Sequence, residues 1–226
     1  MSIHNKIMKE YTETELSVKY DEFIKMLDKY FSGDRLEKLK HMYSDGEYGY
    51  RLTTAPASSK IHYHNAFPGG YLCHINNVIF NCLGIKKLYE CQGVVCDFEV
   101  EELIFAAIHH DLYKLGDEDH EFYVFETNDW QTKNRGSVYK VNPKIRYMDG
   151  VDQTMMILQR YGIKYSWKEF LGMKLADGMY SEDNVKYLKT VEESKSMRTL
   201  LPAILHSADY TSMNVERNEY RESLKK

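Results

Sequence analysis

Two histidines and an aspartate interrupt an apolar stretch in the middle of the sequence. Residues 103–108 are all apolar. His109, His110 and Asp111 follow directly, so a helix here would bring two imidazoles and a carboxylate into the core. Burying an unpaired charge costs several kcal/mol. A divalent cation would offset that cost, because it binds neutral histidine nitrogen and ionised carboxylate oxygen. Gly116 is expected to end this helix.

Two further apolar segments each carry one isolated residue of the same kind. His74 falls in the first turn of a long predicted helix, and Asp209 lies in a helix expected to begin near Leu200. Together with His110 and Asp111, they would supply two histidines and two carboxylates. This set suits an octahedral or near-octahedral divalent ion with positions open for water. The identity of the metal stays open among Mn²⁺, Co²⁺, Ni²⁺, Fe²⁺, Zn²⁺ and Mg²⁺.

The elements that must position these residues are mostly helices. Apolar residues recurring three and four apart predict helices over 12–31, 34–43, 71–90, 149–161, 166–175 and from 200 onward. Asp97 is expected to be the N-cap of the helix that carries His110. Residues 44–60 are expected to form a loop, because Gly, Pro, Ser, Thr and Ala dominate them. The charged tail after Asn214 is expected to fray.

One segment between the helices has a different pattern. Residues 122–125 and 137–141 are rich in aromatic and β-branched side chains, and the turn-prone residues 134–136 lie between them. This pattern predicts a β-hairpin or a pair of irregular strands. We therefore expect an all-α fold with a small β-hairpin insertion near residues 121–147. Residues 1–60 are expected to be N-terminal helices that pack on the core, and residues 61–226 the domain that holds the metal site.

The composition limits the classes of partner. The 226 residues include 30 Lys and Arg against 34 Asp and Glu. The net charge of −4 argues against wrapping long nucleic acid, since such binding depends on phosphate neutralisation. A nucleotide or a short single strand in one pocket is compatible with this charge. No apolar run approaches the ~20 residues that a membrane helix needs. The cysteines contain no Cys-x-x-Cys pair, which argues against structural zinc and favours reduced thiols.

The order of the candidate ligands resembles the HD-domain metal-dependent phosphohydrolases. The resemblance rests on Gly-Gly-Tyr-Leu-Cys-His ending at His74, on His-His-Asp-Leu-Tyr-Lys-Leu-Gly ending at Gly116, and on Leu-His-Ser-Ala-Asp ending at Asp209. The sequence is most similar to the group whose first motif is Gly-Gly-x-x-x-His after a His-rich segment. That group includes bacterial HD exoribonuclease domains and HD proteins of bacteriophages. The similarity covers residues 61–213. The first helices precede this range, and the hairpin within it is an insertion outside the common pattern.

The resemblance implies an HD-domain helical bundle in which His74, His110, Asp111 and Asp209 bind one divalent metal ion. It also implies hydrolysis of a phosphoester or phosphoanhydride, in which a metal-activated water attacks phosphorus. Some relatives with dinuclear sites place further histidines before the last aspartate. No histidine lies between positions 120 and 206 here, which favours a single ion.

Five further residues are candidates for catalysis or substrate binding. Lys114 would stabilise charge on phosphoryl oxygens, or it would be a surface lysine near a helix C-terminus. Asp177 would act on the attacking water or the leaving group, or it would be a turn residue. His62 and His64 would contact a phosphate or a base, or they would belong to a solvated strand. Gly70 at a helix N-terminus would let a phosphate approach closely.

Three functions stay open from the sequence. The leading one is hydrolysis of a (deoxy)nucleoside mono- or triphosphate in the cytoplasm, or in the host cytoplasm if the sequence is viral. The second is a 3′–5′ exonuclease on short single strands, with a basic groove that would include Lys133, Arg135 and Lys140. The third is a nucleotide-binding sensor with a non-catalytic metal site. No membrane association is expected, and a homodimer is one open alternative for the assembly.

Overall fold

The structure, a computed structural model, describes residues 11–45, 47–189 and 192–225. Within them the chain forms ten α-helices and one two-stranded sheet. The helices are α1 (Glu13–Tyr30), α2 (Gly33–Lys40), α3 (Glu47–Thr54), α4 (Gly70–Cys91), α5 (Val100–His109), α6 (Asp129–Arg135), α7 (Gly150–Arg160), α8 (Trp167–Leu175), α9 (Val185–Leu188) and α10 (Leu201–Ser223). The strands are β1 (Tyr123–Phe125) and β2 (Tyr139–Val141). The predicted helical fold is confirmed, and its assignment to the HD bundle stays a prediction.

Helices α4 and α10 lie along each other at the middle of the fold. Helix α8 packs against both α5 and α10. Gly172 permits this close approach, because a Cβ there would lie 2.3 Å from Leu201 Cδ2 and 3.0 Å from Ala106 Cβ. The facing sides of these helices are fully buried, at Leu72, Ile75, Leu103, Ile104, Leu201, Ile204 and Leu205. The close packing fixes the ends of α5 and α8 against the side of α10.

The N-terminal helices pack on this core, and they include one helix that the sequence analysis missed. Residues 47–54 form α3, so the prediction of a loop over residues 44–60 is wrong. Tyr48 and Leu52, four residues apart, both lie in the core. Gly49 lets α3 contact the preceding turn, because a Cβ there would lie 2.5 Å from Tyr43 O. The glycine and threonines of this segment favoured a loop prediction, so the helical spacing of the apolar pair was overlooked.

The predicted strands form a small antiparallel sheet in which Tyr123 lies opposite Val141 and Phe125 lies opposite Tyr139. The segment between them is the short helix α6 rather than a tight turn. Gly136 then adopts a left-handed conformation, with φ 62°, and ends α6. The sheet is joined to the segment before α4, because the Ile61 amide donates to Gly136 O at 2.9 Å. The hairpin and the His62–His64 segment therefore lie side by side.

Two predictions about helix ends are corrected by the structure. The N-cap of α5 is Glu99, whose capping box uses Glu102, whereas Asp97 accepts a hydrogen bond from the Leu200 amide at 2.9 Å. Helix α10 continues to Ser223, so the predicted fraying after residue 214 is wrong. The second half of α10 is held because Glu216 is buried against α4. The whole of α10 therefore belongs to the fold.

The described part of the chain contains neither a membrane span nor a disulfide. None of its helices combines the length and the apolar composition that crossing a bilayer requires. Its four cysteines form no cross-link with one another, and Cys73 and Cys82 are buried in α4.

Candidate metal centre

The four predicted metal ligands meet where α4, the end of α5 and α10 come together. His74 Nε2 lies 3.1 Å from Asp209 Oδ1 and 3.8 Å from Asp111 Oδ2. His110 Nε2 lies 3.5 Å from Asp111 Oδ2 and 3.8 Å from Asp209 Oδ1. Residues 135 positions apart in the sequence thus place nitrogen and oxygen atoms around one small space. Ligand atoms around a single ion have separations of this order.

A change of helix type at the end of α5 aims His110 and Asp111 at this space. The α-helix ends at His109, and a 3₁₀-helix (Leu112–Leu115) follows after Asp111. The prediction that one helix continues to Gly116 is therefore wrong. Gly116 instead follows the 3₁₀ turn with φ 100°, where a Cβ would lie 2.0 Å from His120 O. A glycine is required there because the chain reverses sharply behind the site.

Both histidines present the same ring nitrogen to the centre. His74 Nδ1 is within hydrogen-bond distance of Glu216, and His110 Nδ1 donates to Ala107 O at 2.9 Å. His74 Nε2 and His110 Nε2 are buried and have no hydrogen bond of acceptable geometry. Such orphaned nitrogens are costly unless something else binds them. The donor set fits a divalent cation, because His74, His110 and Asp111 can bring three ligand atoms within 4.8 Å of one another.

The charges around the centre favour a cation. Burial alone would lower the pKa of His74, but Glu216 and Asp209 raise the pKa to about 10. Burial would raise the pKa of Asp209, but the nearby His110 and His74 rings hold this pKa well below its usual range. The site holds three carboxylates, those of Asp111, Asp209 and Glu216, and one ammonium, that of Lys114, which pairs with Asp111. When a metal ion displaces the extra proton from each imidazole, these groups carry an excess of two negative charges, which one divalent ion would balance.

Glu216 is the site residue that the sequence analysis missed. Its side chain is fully buried, its carboxylate lies 3.1 Å from His74 Nδ1, and it accepts from Asn77 Nδ2 at 2.8 Å. The sequence feature that could have identified Glu216 is its spacing, since it lies seven residues after Asp209 on α10. Seven residues are two helical turns, so both carboxylates lie on the face of α10 that contacts α4. The charged composition of the tail concealed this spacing.

Lys114 lies inside the centre and is not a surface lysine. Its Nζ lies 2.6 Å from Asp111 Oδ2, and only 11% of its side chain is exposed. Burial would lower the pKa of Lys114, but the neighbouring Asp111 carboxylate raises it well above the usual value. The ammonium therefore stays protonated beside the ligands.

Asp177 lies in the turn after α8, which two side chains hold in place. His206 Nδ1 donates to Ala176 O at 2.6 Å, and Asn184 Nδ2 donates to Gly178 O at 3.0 Å. Gly178 has φ 57° and packs on the His206 ring, where a Cβ would lie 2.5 Å from His206 Cε1. Loss of hydration and the charge of Asp111 raise the pKa of Asp177. Asp177 is thus a carboxyl group that the charges of the centre influence.

The two histidines predicted to bind substrate, His62 and His64, lie at different distances from the centre. The His64 ring lies 4.9 Å from the His74 ring, its Nδ1 is buried without a partner, and burial together with His74 holds its pKa well below the usual value. His62 is exposed and lies against the Tyr63 ring and Gly136. Only His64 is therefore brought to the centre by contacts with the ligands.

Gly70 begins α4, but the space around it is filled by protein. A Cβ at Gly70 would lie 2.0 Å from Asn65 O. The Gly70 amide donates to Phe67 O at 2.9 Å, and the Tyr71 amide donates to Ala55 O at 3.0 Å. The first two amides of α4 are thus satisfied by carbonyl groups. The geometry at Gly70 favours close packing over the phosphate contact expected from the sequence.

Comparison of the chain with protein-family models, curated proteins and solved structures finds no match. The site must therefore be interpreted from its own geometry and chemistry.

Proposed function

We propose that this protein is a metal-dependent phosphohydrolase of the HD type that acts on a (deoxy)nucleoside mono- or triphosphate. The observation that carries the proposal is that His74 Nε2 and His110 Nε2 each lie within 3.8 Å of carboxylate oxygens of Asp111 and Asp209, while both nitrogens are buried without a hydrogen bond of acceptable geometry. Their side chains would hold one divalent ion. When bound, the ion would supply an activated water and polarise a phosphoryl oxygen.

The exposure of the ligands indicates how a substrate would approach. The side chains of His74 and His110 are 1% and 2% exposed, whereas that of Asp209 is 24% exposed. A phosphate group would therefore reach the centre from the Asp209 side. The enclosing protein excludes bulk water from the other sides, which strengthens electrostatic interactions at the reacting atoms.

Three residues beside the ligands have distinct roles in this proposal. The Lys114 ammonium would neutralise negative charge on the phosphoryl group, because the Asp111 carboxylate beside it keeps it protonated despite its burial. His64 is neutral, so its ring can accept or donate one hydrogen bond to the substrate. Asp177 has a raised pKa, which suits proton transfer with the attacking water or the leaving group.

The proposal is tested by following hydrolysis directly. Metal-stripped protein would be supplied with Mn²⁺, Co²⁺ or Mg²⁺ and incubated with ribo- and deoxynucleoside mono- and triphosphates and a short labelled oligonucleotide. Chromatography would resolve the products. We expect one nucleotide class to release phosphate, pyrophosphate or triphosphate only when metal is present.

Two other outcomes would replace the proposal. Shortening of the oligonucleotide, with all free nucleotides intact, would identify an exonuclease. Stoichiometric metal binding with no product from any substrate would favour a sensor whose metal site is not catalytic.

A further inference from the structure

We propose that Glu216 is a positioning residue for the metal centre, which holds the His74 ring so that Nε2 faces the metal ion. This inference rests on the proposed function, since it concerns the same centre. It assigns a role to a buried carboxylate that is absent from the ligand motifs of the sequence.

The hydrogen-bond geometry gives His74 one tautomer and one orientation. Both carboxylate oxygens of Glu216 lie close to His74 Nδ1, at 3.2 and 3.1 Å. A carboxylate can only accept hydrogen bonds, so Nδ1 must carry the proton. In a neutral ring Nε2 then keeps its lone pair, and this is the nitrogen that lies 3.1 Å from Asp209 Oδ1. In the neutral ring, Glu216 thus fixes the tautomer whose Nε2 can bind a metal.

The carboxylate is itself fixed. Asn77 Nδ2 donates to Glu216 Oε1 at 2.8 Å, and the Glu216 side chain has no exposure to solvent. Asn77 lies three residues after His74, so neighbouring positions on one face of α4 carry both the histidine and the amide that fixes Glu216. A buried carboxylate is a costly way to join two helices, because apolar residues of similar size pack at least as well. We therefore attribute the presence of the Glu216 carboxylate to its effect on His74 and not to helix packing.

A second hydrogen bond between side chains of α4 and α10 involves only uncharged groups. Asn81 Nδ2 donates to Ser212 Oγ at 2.8 Å. Asn81 lies four residues after Asn77, and Ser212 lies four residues before Glu216, so this pair repeats the Asn77–Glu216 contact one turn away. The Asn81–Ser212 pair serves the packing of α4 on α10 alone. It therefore provides a matched control for Glu216.

The second histidine ligand shows what Glu216 adds. His110 Nδ1 donates to the neutral carbonyl of Ala107, whereas His74 Nδ1 donates to a carboxylate. A carboxylate partner makes the opposite ring nitrogen a stronger electron donor, and loss of such partners lowers metal affinity about 10- to 100-fold in metalloenzymes. His74 is therefore the ligand that Glu216 strengthens, and His110 is left without this support.

The first experiment measures the dissociation constant of Co²⁺ by its visible absorption in the full-length protein. We expect Glu216→Gln to weaken binding about 10- to 100-fold, because the glutamine keeps the size and loses the charge. Ser212→Ala should bind Co²⁺ with the wild-type constant, although it removes a contact between the same helices. Equal affinities in wild type and Glu216→Gln would overturn the positioning role. Failure of the wild type to bind any divalent ion would overturn the proposed function itself.

A second measurement does not depend on the folding of a variant. Ring ¹⁵N chemical shifts of wild-type protein loaded with Zn²⁺ report which nitrogen of His74 carries the proton. We expect protonated Nδ1 and metal-bound Nε2. A proton on Nε2, or metal on Nδ1, would overturn the proposal even if the affinity of Glu216→Gln could not be measured.

Discussion

His109 and His110 are neighbours in the sequence and are both buried, but they lie in two different regions of the molecule. The His109 ring lies in the apolar core, 4.2 Å from the Phe105 ring, and its Nδ1 donates to Phe105 O at 2.7 Å. Burial lowers the pKa of His109 to about 3. Burial would lower the pKa of His110 too, but Asp111 and Asp209 raise it.

The difference shows that burial alone does not determine the chemistry of a histidine. One residue along a helix rotates the side chain by about 100°. Because of that rotation, the His109 ring contacts aromatic side chains of the core, whereas the His110 ring lies beside the carboxylates of the centre. His109 acts as a polar member of the core, and His110 acts as a ligand candidate. The following predictions test this division, beginning with the largest expected effect.

Asp111→Asn should abolish hydrolysis. The substitution removes an anionic ligand and leaves the buried Lys114 ammonium without its carboxylate, so we expect activity to fall roughly a thousandfold or more. The rate of product release under saturating Mn²⁺ measures the effect. Asp119→Asn, on the exposed segment that follows, is the control and should keep wild-type activity. Activity retained in Asp111→Asn would show that the centre is misassigned.

The same substitution in the two histidines should give opposite results. His110→Gln removes a ligand, so we expect metal affinity to fall about 100-fold, with a small change in stability. His109→Gln removes ring packing from the core, so we expect the free energy of unfolding to fall by about 2 kcal/mol, with metal affinity unchanged. Urea unfolding and Co²⁺ titration of both variants test the division. Equal losses of metal affinity would contradict it.

The sequence predicted most of the long helices and the candidate ligands that lie within apolar stretches. His74 and Asp209 stand out because their neighbours are hydrophobic, and periodicity places both ends of α4 and the start of α10 to within one residue. By contrast, the apolar pattern alone does not distinguish His109 from His110, and only the histidine–aspartate motif singles out His110. Their different roles depend on where the α-helix becomes a 3₁₀-helix, which packing decides.

Glu216 could not be recognised as a site residue from the sequence for a related physical reason. Glu216 is surrounded by polar and charged neighbours, so its segment has the composition of a frayed tail. Its burial depends on a partner, His74, that lies 142 positions away in the sequence. The helix α3 was missed in the same way, since Tyr48 and Leu52 become recognisable as core residues only when other helices cover them.

Lys114→Met should separate charge stabilisation from metal binding. Methionine keeps the apolar stem and removes the ammonium, so we expect kcat to fall about 100-fold while metal affinity is retained. Lys133→Met, on an exposed face of α6, should leave kcat unchanged. Steady-state kinetics with saturating metal distinguishes the two. If kcat is unchanged and only stability falls, Lys114 serves solely as the partner of Asp111.

The smallest predicted effect is the pH dependence that His109 gives to stability. The unfolded chain protonates this residue near pH 6.5, whereas the folded chain does so only near pH 3. Its contribution to stability is therefore complete above pH 6.5 and decreases as the pH falls towards 3, by about 1 kcal/mol per pH unit. His109→Gln lacks this titration, and its other groups match those of the wild type.

The difference in unfolding free energy between wild type and His109→Gln should therefore shrink by about 1 kcal/mol between pH 7 and pH 5.5. Urea unfolding in a chelating buffer measures it without a contribution from bound metal. Other titrating groups are shared by both proteins, so their effects cancel in the difference. A constant difference would mean that His109 takes up a proton in the folded protein as easily as in the unfolded chain. Its surroundings would then resemble those of His110, and the contrast between the two regions would fail.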